Sequence, residues 1–370
     1  MPAAPILFCS HVVEIGGAEM VLLDLLGALD RERWQPHLVV PREGPMTDAV
    51  LALDVPTFPL AIGGKSALTK ACSVPFAAGR LRKQARHMRA RVVVATSMIA
   101  GYAGVMAQHR DLACVWHLHI VTKSRLAGFF VRRARAVIVP SRAGAAAVGC
   151  KNAHVIGNGV ADRYFAARGD GLRQRLQVPD GTPLLGIVGR LDPHKGHLVL
   201  LEALARLTNA PQPHLVVAGG ALFADGIARI DGFAGILARH IEALGLGRRV
   251  HVLGPLADTA PLLAELDAVV VPSTAMESAP RTIAEAQAAG CPVVASAIGG
   301  IPEMVADGTS GSLVPPGDVA ELANALAAIT RNPALRERLR AGGRAAAAAY
   351  RNQAFAQRCS DVFAQAMPPA

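Results

Sequence analysis

The sequence predicts an α/β protein built as two doubly wound domains, and three observations carry that reading. Ten short apolar, β-branched runs recur along the chain with helix-like segments between them. Within these runs the residues do not alternate between apolar and polar, which is the pattern of parallel strands covered by helices on both faces. At 370 residues the chain also exceeds what one hydrophobic core usually supports.

Five runs lie in the first half: "ILFCSHV", "PHLVV", "VVVATS", "CVWHLHI" and "AVIVPS". Five more follow in the second: "LLGIVGR", "HLVVAGG", "VHVLG", "AVVVPS" and "PVVASA". The strand endings Ala136 to Ser141 and Ala268 to Ser273 hint that the halves share an architecture. The join falls near "NGVADRYF", Asn158 to Phe165, giving a first domain over 1–160 and a second over 161–345. The Ala- and Arg-rich remainder, 346–370, reads as a helix returning towards the first domain.

Composition excludes several classes. The chain is 52% hydrophobic, with 36 Gly and 25 Pro and no low-complexity polar tract, so it is globular. Residues 1–160 hold 19 of the 38 Lys and Arg but only 9 of the 28 Asp and Glu, so the whole net charge of +10 lies there. Much of it falls in "GRLRKQARHMRAR", Gly79 to Arg91, a helix that suits anionic lipid or a phosphorylated substrate and equally suits a solvated face. Nucleic acid is disfavoured, since aromatics are only 4% and no nucleic-acid module is present. The six cysteines are scattered without metal-ligand spacing and read as reduced cytosolic thiols. The N-terminus lacks the basic leader of a signal peptide. Val92 to His109 is free of charge, but it passes from a β-branched run to a helix-like one after Ser97 and reads as strand, loop and helix rather than a membrane span.

In open parallel sheets, ligands bind outside the carboxyl ends of strands, and with two such domains the default site is the cleft between them. After the strand "LLGIVG", Arg190 and Lys195 precede a helix, a cradle for a diphosphate or an ordinary surface pair. The P-loop spacing is absent. Beyond "AVVVPS", Glu277 stands in a loop and Glu285 roughly a turn and a half into a helix expected to begin near Ala279, with Pro280 in its first turn. Two carboxylates there can accept hydrogen bonds from sugar hydroxyls; by spacing alone they equally suit an exposed loop and a helix surface.

"GRLDPHKG", "VIGNGVADRYF" and "ESAPRTIAEAQAAGCPVVASAIGGIPEMVADGTSGSLVPPGD" resemble the signatures of the retaining glycosyltransferases of family four, also called glycosyl transferases group one. The likeness covers essentially the whole chain and implies a GT-B fold, two Rossmann-like domains facing across a cleft, with a nucleotide-diphosphate-sugar donor on the second and the acceptor on the first. Carried over by position, Arg190 and Lys195 hold the donor diphosphate, Glu285 the ribose hydroxyls and Glu277 the transferred sugar. Gly16 and Gly17 let a loop approach the donor, Gly300 and the Ile301 amide close the pocket, and Ala279, Pro280 and Arg281 border the sugar. His119 is the histidine expected at the donor sugar, and with Arg190, Lys195 and Glu277 it makes the catalytic set. His117, Lys123 and Arg125 are weaker acceptor candidates.

The resemblance further implies retention by front-face attack, so Glu277 and Glu285 bind rather than act as an acid/base couple. No Asp-x-Asp occurs, and no metal or other cofactor is required. The family often follows its first Glu with Gly-Phe-Gly or Pro-Phe-Gly; Ser278-Ala279-Pro280-Arg281 departs from that pattern and leaves the donor sugar open. The expectation is a hexosyltransferase acting on a lipid-linked or cell-envelope glycan in the cytoplasm, peripheral to the inner face of the cytoplasmic membrane. A GT-B sugar-nucleotide epimerase and a non-catalytic nucleotide-sugar-binding scaffold are the alternatives.

Overall fold

The computed structural model describes residues 3–62, 67–119, 125–208, 212–220 and 227–369. By contacts the chain divides into two compact units, one comprising Met1–Gly159 with Asn352–Ala370 and the other Val160–Arg351.

The first unit is built on a parallel sheet of β1 (Ala4–Cys9), β2 (Trp34–Val40), β3 (Thr57–Pro59), β4 (Val92–Ala95), β5 (Ala113–His117), β6 (Ala136–Val139) and β7 (His154–Val155). Its order is β3-β2-β1-β4-β5-β6-β7, so the direction of chain progress reverses between β1 and β4, the kind of position where open sheets bind ligands. Each face of the sheet has its own core. Along β1, Leu7 and Cys9 join Val93, Ala95 and Trp116 on one side, whereas Ile6 and Phe8 join Val92, Val94 and Val115 on the other. Burial on both faces explains why these strands read as unbroken apolar runs.

The second core is completed by the last helix, Asn352–Ala366. Phe355, Cys359 and Phe363 are fully buried there, Phe363 packs edge-on against Phe8 at 5.9 Å, and the Trp34 indole donates to Ser360 Oγ at 2.7 Å.

The uncharged stretch Val92 to His109 forms β4, a Ser97 cap and the helix Met98–Ala107. Ser97 Oγ accepts the Ala100 amide at 3.3 Å. At the other end, Arg82 of the basic helix Ala67–Met88 donates to the carbonyls of Met106 and Ala107 at 2.9 and 3.0 Å. These carbonyls have no partner within their own helix, and a cation suits that end of its dipole. Arg82 is therefore a capping residue of the fold, while Arg80, Lys83 and Arg86 on the same helix are exposed.

The second unit carries β8 (Leu184–Val188), β9 (His214–Ala218), β10 (Val250–Gly254), β11 (Ala268–Val271), β12 (Val293–Ser296) and β13 (Ser312–Val314). They form a parallel sheet in the order β10-β9-β8-β11-β12-β13, the strand order of the dinucleotide-binding folds. Its reversal lies between β8 and β11. Leu185 and Ile187 face a core with Leu200, Leu204 and Val270, and Leu184 faces the opposite one with Val269, Ile283 and Val293. Among the described residues, no helix is long and apolar enough to cross a membrane.

Gly101 lies against the buried Trp116 indole, and a Cβ there would collide with the ring. The indole is fixed by its own bond to the Ser97 carbonyl at 3.1 Å. Gly101→Ala is expected to lower stability by about 1–3 kcal/mol, read as a reduced urea midpoint with an unchanged slope.

Candidate functional site

In the second unit, the loops that follow β8 and β11 are brought together at the reversal of strand order. After β8 the chain passes through Arg190 into a 3-10 turn, Pro193–Lys195, which Asp192 initiates by accepting the His194 amide at 2.9 Å. The helix His197–Ala205 follows. The two loops are tied by backbone, Thr274 N–H to the His194 carbonyl at 2.9 Å, and by side chain, Thr282 Oγ1 to the Val188 carbonyl at 3.1 Å.

The ion pair of Lys195 and Glu277 sits within this junction, Nζ to Oε1 at 2.6 Å. Ser273, fully buried at the exit of β11, donates to the same oxygen at 3.1 Å. The Glu277 carbonyl accepts the Gly300 amide at 2.9 Å, which brings in the loop after β12. Gly299 in that loop has φ +61°, and a Cβ would collide with the Glu277 carbonyl oxygen, so the backbones can close here only on glycine. The Ile301 amide, expected as a phosphate donor, donates to the Ile298 carbonyl at 3.2 Å. Arg190 extends from its loop with Nη2 3.6 Å from Asp192 Oδ2 and remains 41% exposed.

The helix of the second glutamate begins later than the sequence suggests, at Arg281, with the buried Pro280 as its N-cap and Ala279 packed beside the core. The Arg281 side chain, 10% exposed, runs along its own helix. Its Nε and Nη2 both reach Glu285 Oε1, at 3.1 and 2.9 Å. Glu277 and Glu285 thus each have a cation of their own.

In the first unit, Gly16 caps the helix Gly17–Ala28, and its amide donates to Glu19 Oε2 at 3.1 Å. Burial pushes the Glu19 carboxyl up from its usual range. A Cβ on Gly17 would meet nothing within 4 Å, so this turn of the loop is open. At the reversal between β1 and β4, His11 Nδ1 lies 2.7 Å from Ser97 Oγ. His117 ends β5 and is buried, with its ring 6.1 Å from Phe355. His119 follows, partly exposed, with its ring 4.1 Å from that of His117. Burial and then the neighbouring His119 hold His117 well below the ordinary imidazole range, so it is a neutral ring of the core. Arg125 is exposed at the start of the helix Arg125–Val131, and Lys123 lies outside the described residues.

The family described as Glycosyltransferase Family 4 matches residues 15–163, and that described as Glycosyl transferases group 1 matches residues 170–346. The chain belongs to the group 1 glycosyltransferases and has their GT-B fold. Among solved structures, Anabaena HepE in complex with UDP and glucose superposes with a TM-score of 0.83 at 26% identity, covering 97% of this chain and 99% of that one. Sucrose-phosphate synthase of Thermosynechococcus elongatus shares the fold, with a TM-score of 0.81 at 23% identity over 98% of each chain. A D-inositol 3-phosphate glycosyltransferase of Streptosporangium roseum is 37% identical over 202 residues, 53% of this chain and 45% of the relative. That of Mycolicibacterium paratuberculosis is 40% identical over 164 residues, 44% of this chain and 35% of the relative. The matches thus span less than half the length of these relatives.

Within this group 1 framework, sequence reasoning passed over Ser273, Thr282, His11 and Glu19. Ser273 had a signal, since it closes the "VPS" strand ending four residues before Glu277. Glu19 had one as well, three residues after the glycine that it caps.

His197, in the first turn of its helix, is buried and packs edge-on to Phe233 at 5.8 Å. Burial lowers its pKa from 6.5 to about 4, against the raising effect of the Asp192 carbonyl. The native state therefore binds fewer protons than the unfolded chain between those values. Stability is expected to hold above pH 6.5 and to fall as pH drops towards 4. Urea midpoints across that window should decline less steeply in His197→Asn than in the wild type.

Proposed function

We propose that this chain is a retaining glycosyltransferase that binds a nucleotide-diphosphate sugar on its second unit, with Arg190 and Lys195 towards the diphosphate, Glu277 at the transferred sugar and Glu285 at the ribose. The observation that carries the reading is the meeting of Lys195 and Glu277 at 2.6 Å at the switch point of the sheet. When the anomeric bond breaks, negative charge grows on the departing diphosphate, and fixed cations stabilise it where it develops. The Lys195 ammonium is held in place before the reaction, so little reorganisation is needed during it. Glu277 is bound by Lys195 and Ser273 and Glu285 by Arg281, which favours binding roles for both and attack on the front face of the sugar without a protein nucleophile. His119 is assigned to the donor sugar, and the turn at Gly16 and Gly17 to the close approach of the donor.

HepE, solved with UDP and glucose, makes a UDP-sugar the first donor to try. Calorimetric titration with UDP, GDP, ADP and dTDP is expected to select one nucleotide, with weaker binding in Glu285→Ala. Lys195→Ala is expected to lower kcat by roughly 10²–10³-fold. A titration in which none of the four binds, or turnover unchanged by Lys195→Ala, would overturn the assignment.

For the acceptor, the excess of basic residues in 1–160 favours a phosphate-bearing molecule. A soluble phosphorylated polyol, such as the inositol 3-phosphate named for the curated relatives, and a lipid-linked glycan both satisfy that chemistry. Arg82 is engaged as a cap, so contact with an anionic bilayer falls to the exposed Arg80, Lys83 and Arg86. Changing those three to Ala is expected to weaken partitioning onto phosphatidylserine vesicles by at least about tenfold. Unchanged partitioning would remove the membrane from the proposal and leave the soluble acceptor.

A further inference from the structure

Arg281 is an additional cation in the stretch between the two glutamates, and its geometry differs from that of the other charged groups near the site. Arg190 is half exposed, and Lys195 and Glu277 are partly exposed, at 24% and 20%. The Arg281 and Glu285 side chains are only 10% and 9% exposed. An i,i+4 pair on a helix surface contributes little, and sequestering both charges from water largely offsets their attraction. Stability alone is therefore a weak account of a pair placed this deep. Orientation is a stronger one: Nε donates to one carboxylate oxygen, Oε1, at 3.1 Å, and Nη2 lies 2.9 Å from the same oxygen as an ion pair, which ties Oε1 and leaves Oε2 for a ligand.

A buried tyrosine lies on the helix packed against this one. Tyr164, from the helix Asp162–Phe165 that packs on this one, is buried, and its hydroxyl is 3.0 Å from Thr259 Oγ1. Burial, followed by the charge of Glu285, pushes the Tyr164 phenol up, and Arg281 acts in the opposite sense. The phenol thus stays neutral beside the helix that carries the pair.

We propose that Arg281 is a positioning residue for nucleotide recognition: by holding Glu285 Oε1 through the Nε hydrogen bond and the ion pair, it aims Oε2 at the vicinal hydroxyls of the donor's ribose. The proposal rests on the assignment of Glu285 to the ribose. A charge-assisted hydrogen bond depends on alignment, so an untethered carboxylate loses discrimination for the hydroxyls while the diphosphate contacts persist.

The test is the ratio of dissociation constants for 2′,3′-dideoxy-UDP and UDP, or for the corresponding guanosine or adenosine pair if that nucleotide is the one selected. It is measured calorimetrically on the full chain for wild type, Glu285→Gln, Arg281→Leu, Arg281→Lys and the Arg281→Leu/Glu285→Gln double variant. Arg281→Leu is expected to reduce the wild-type ratio about tenfold, the size of one lost charge-assisted bond, with Arg281→Lys recovering part of it. In the Glu285→Gln background, Arg281→Leu should change the ratio no further, since it acts through the carboxylate. A purely structural role would weaken both nucleotides alike and leave the ratio intact. If Glu285→Gln collapses the ratio and neither Arg281 variant alters it, the positioning role is overturned and the ribose assignment stands. If Glu285→Gln itself leaves the ratio unchanged, the ribose assignment fails and the proposal falls with it. Should Arg281→Leu not fold, Arg281→Lys decides: an unchanged ratio overturns the proposal and a reduced one supports it.

Discussion

Three loops of the second unit depend on one residue. Glu277 draws Lys195 from the loop after β8 and Ser273 from the exit of β11 onto a single carboxylate oxygen, and its carbonyl receives Gly300 from the loop after β12. These loops leave strands that stand side by side in the sheet. The strand order brings them within reach of one another, and the glutamate determines how they close. The absence of a Cβ on Gly299 permits the last of these contacts. A substitution at Glu277 would thus release a cation and a buried hydroxyl together while the backbone bond to Gly300 remains, and its effect could not be assigned to one lost contact.

The long strands were legible because their apolar runs are continuous on both faces, as "AVVVPS" becoming β11 illustrates. β3, β7 and β13 were not, since segments of two or three residues carry no periodicity. In the site, residue types were legible and partnerships were not. Lys195 and Glu277 lie 82 positions apart, and only the folded sheet makes them neighbours. Arg281 is the instructive case. Its i,i+4 spacing to Glu285 is visible in the chain and is the spacing at which helical side chains meet, so this partnership was the one the sequence could give. Arg82 was grouped with its basic neighbours, because sequence alone cannot reveal that the end of another helix lies within its reach.

The repeated "VPS" ending shows how one sequence feature serves two purposes. In the first unit a helix starts immediately after it, and Ser141 caps that helix by accepting the Gly144 amide at 3.0 Å. In the second unit the helix starts later, at Arg281, and the hydroxyl of Ser273 turns to Glu277 instead. The difference follows from the longer loop, which frees the serine from capping and makes room for the charged pair.

The place of the helix Asn352–Ala366 bears on how the protein is made. The helix belongs to the first unit, and Phe355, Cys359 and Phe363 complete one of its two cores. The segments on either side of the second unit are neighbours in space, with the Val160 amide donating to the Tyr350 carbonyl at 2.7 Å. During synthesis one core of the first unit lacks its last helix while the second unit emerges and folds, because domains form as units in the order that they become complete. The order of folding is therefore the reverse of the order of translation: the half that is begun first is finished last.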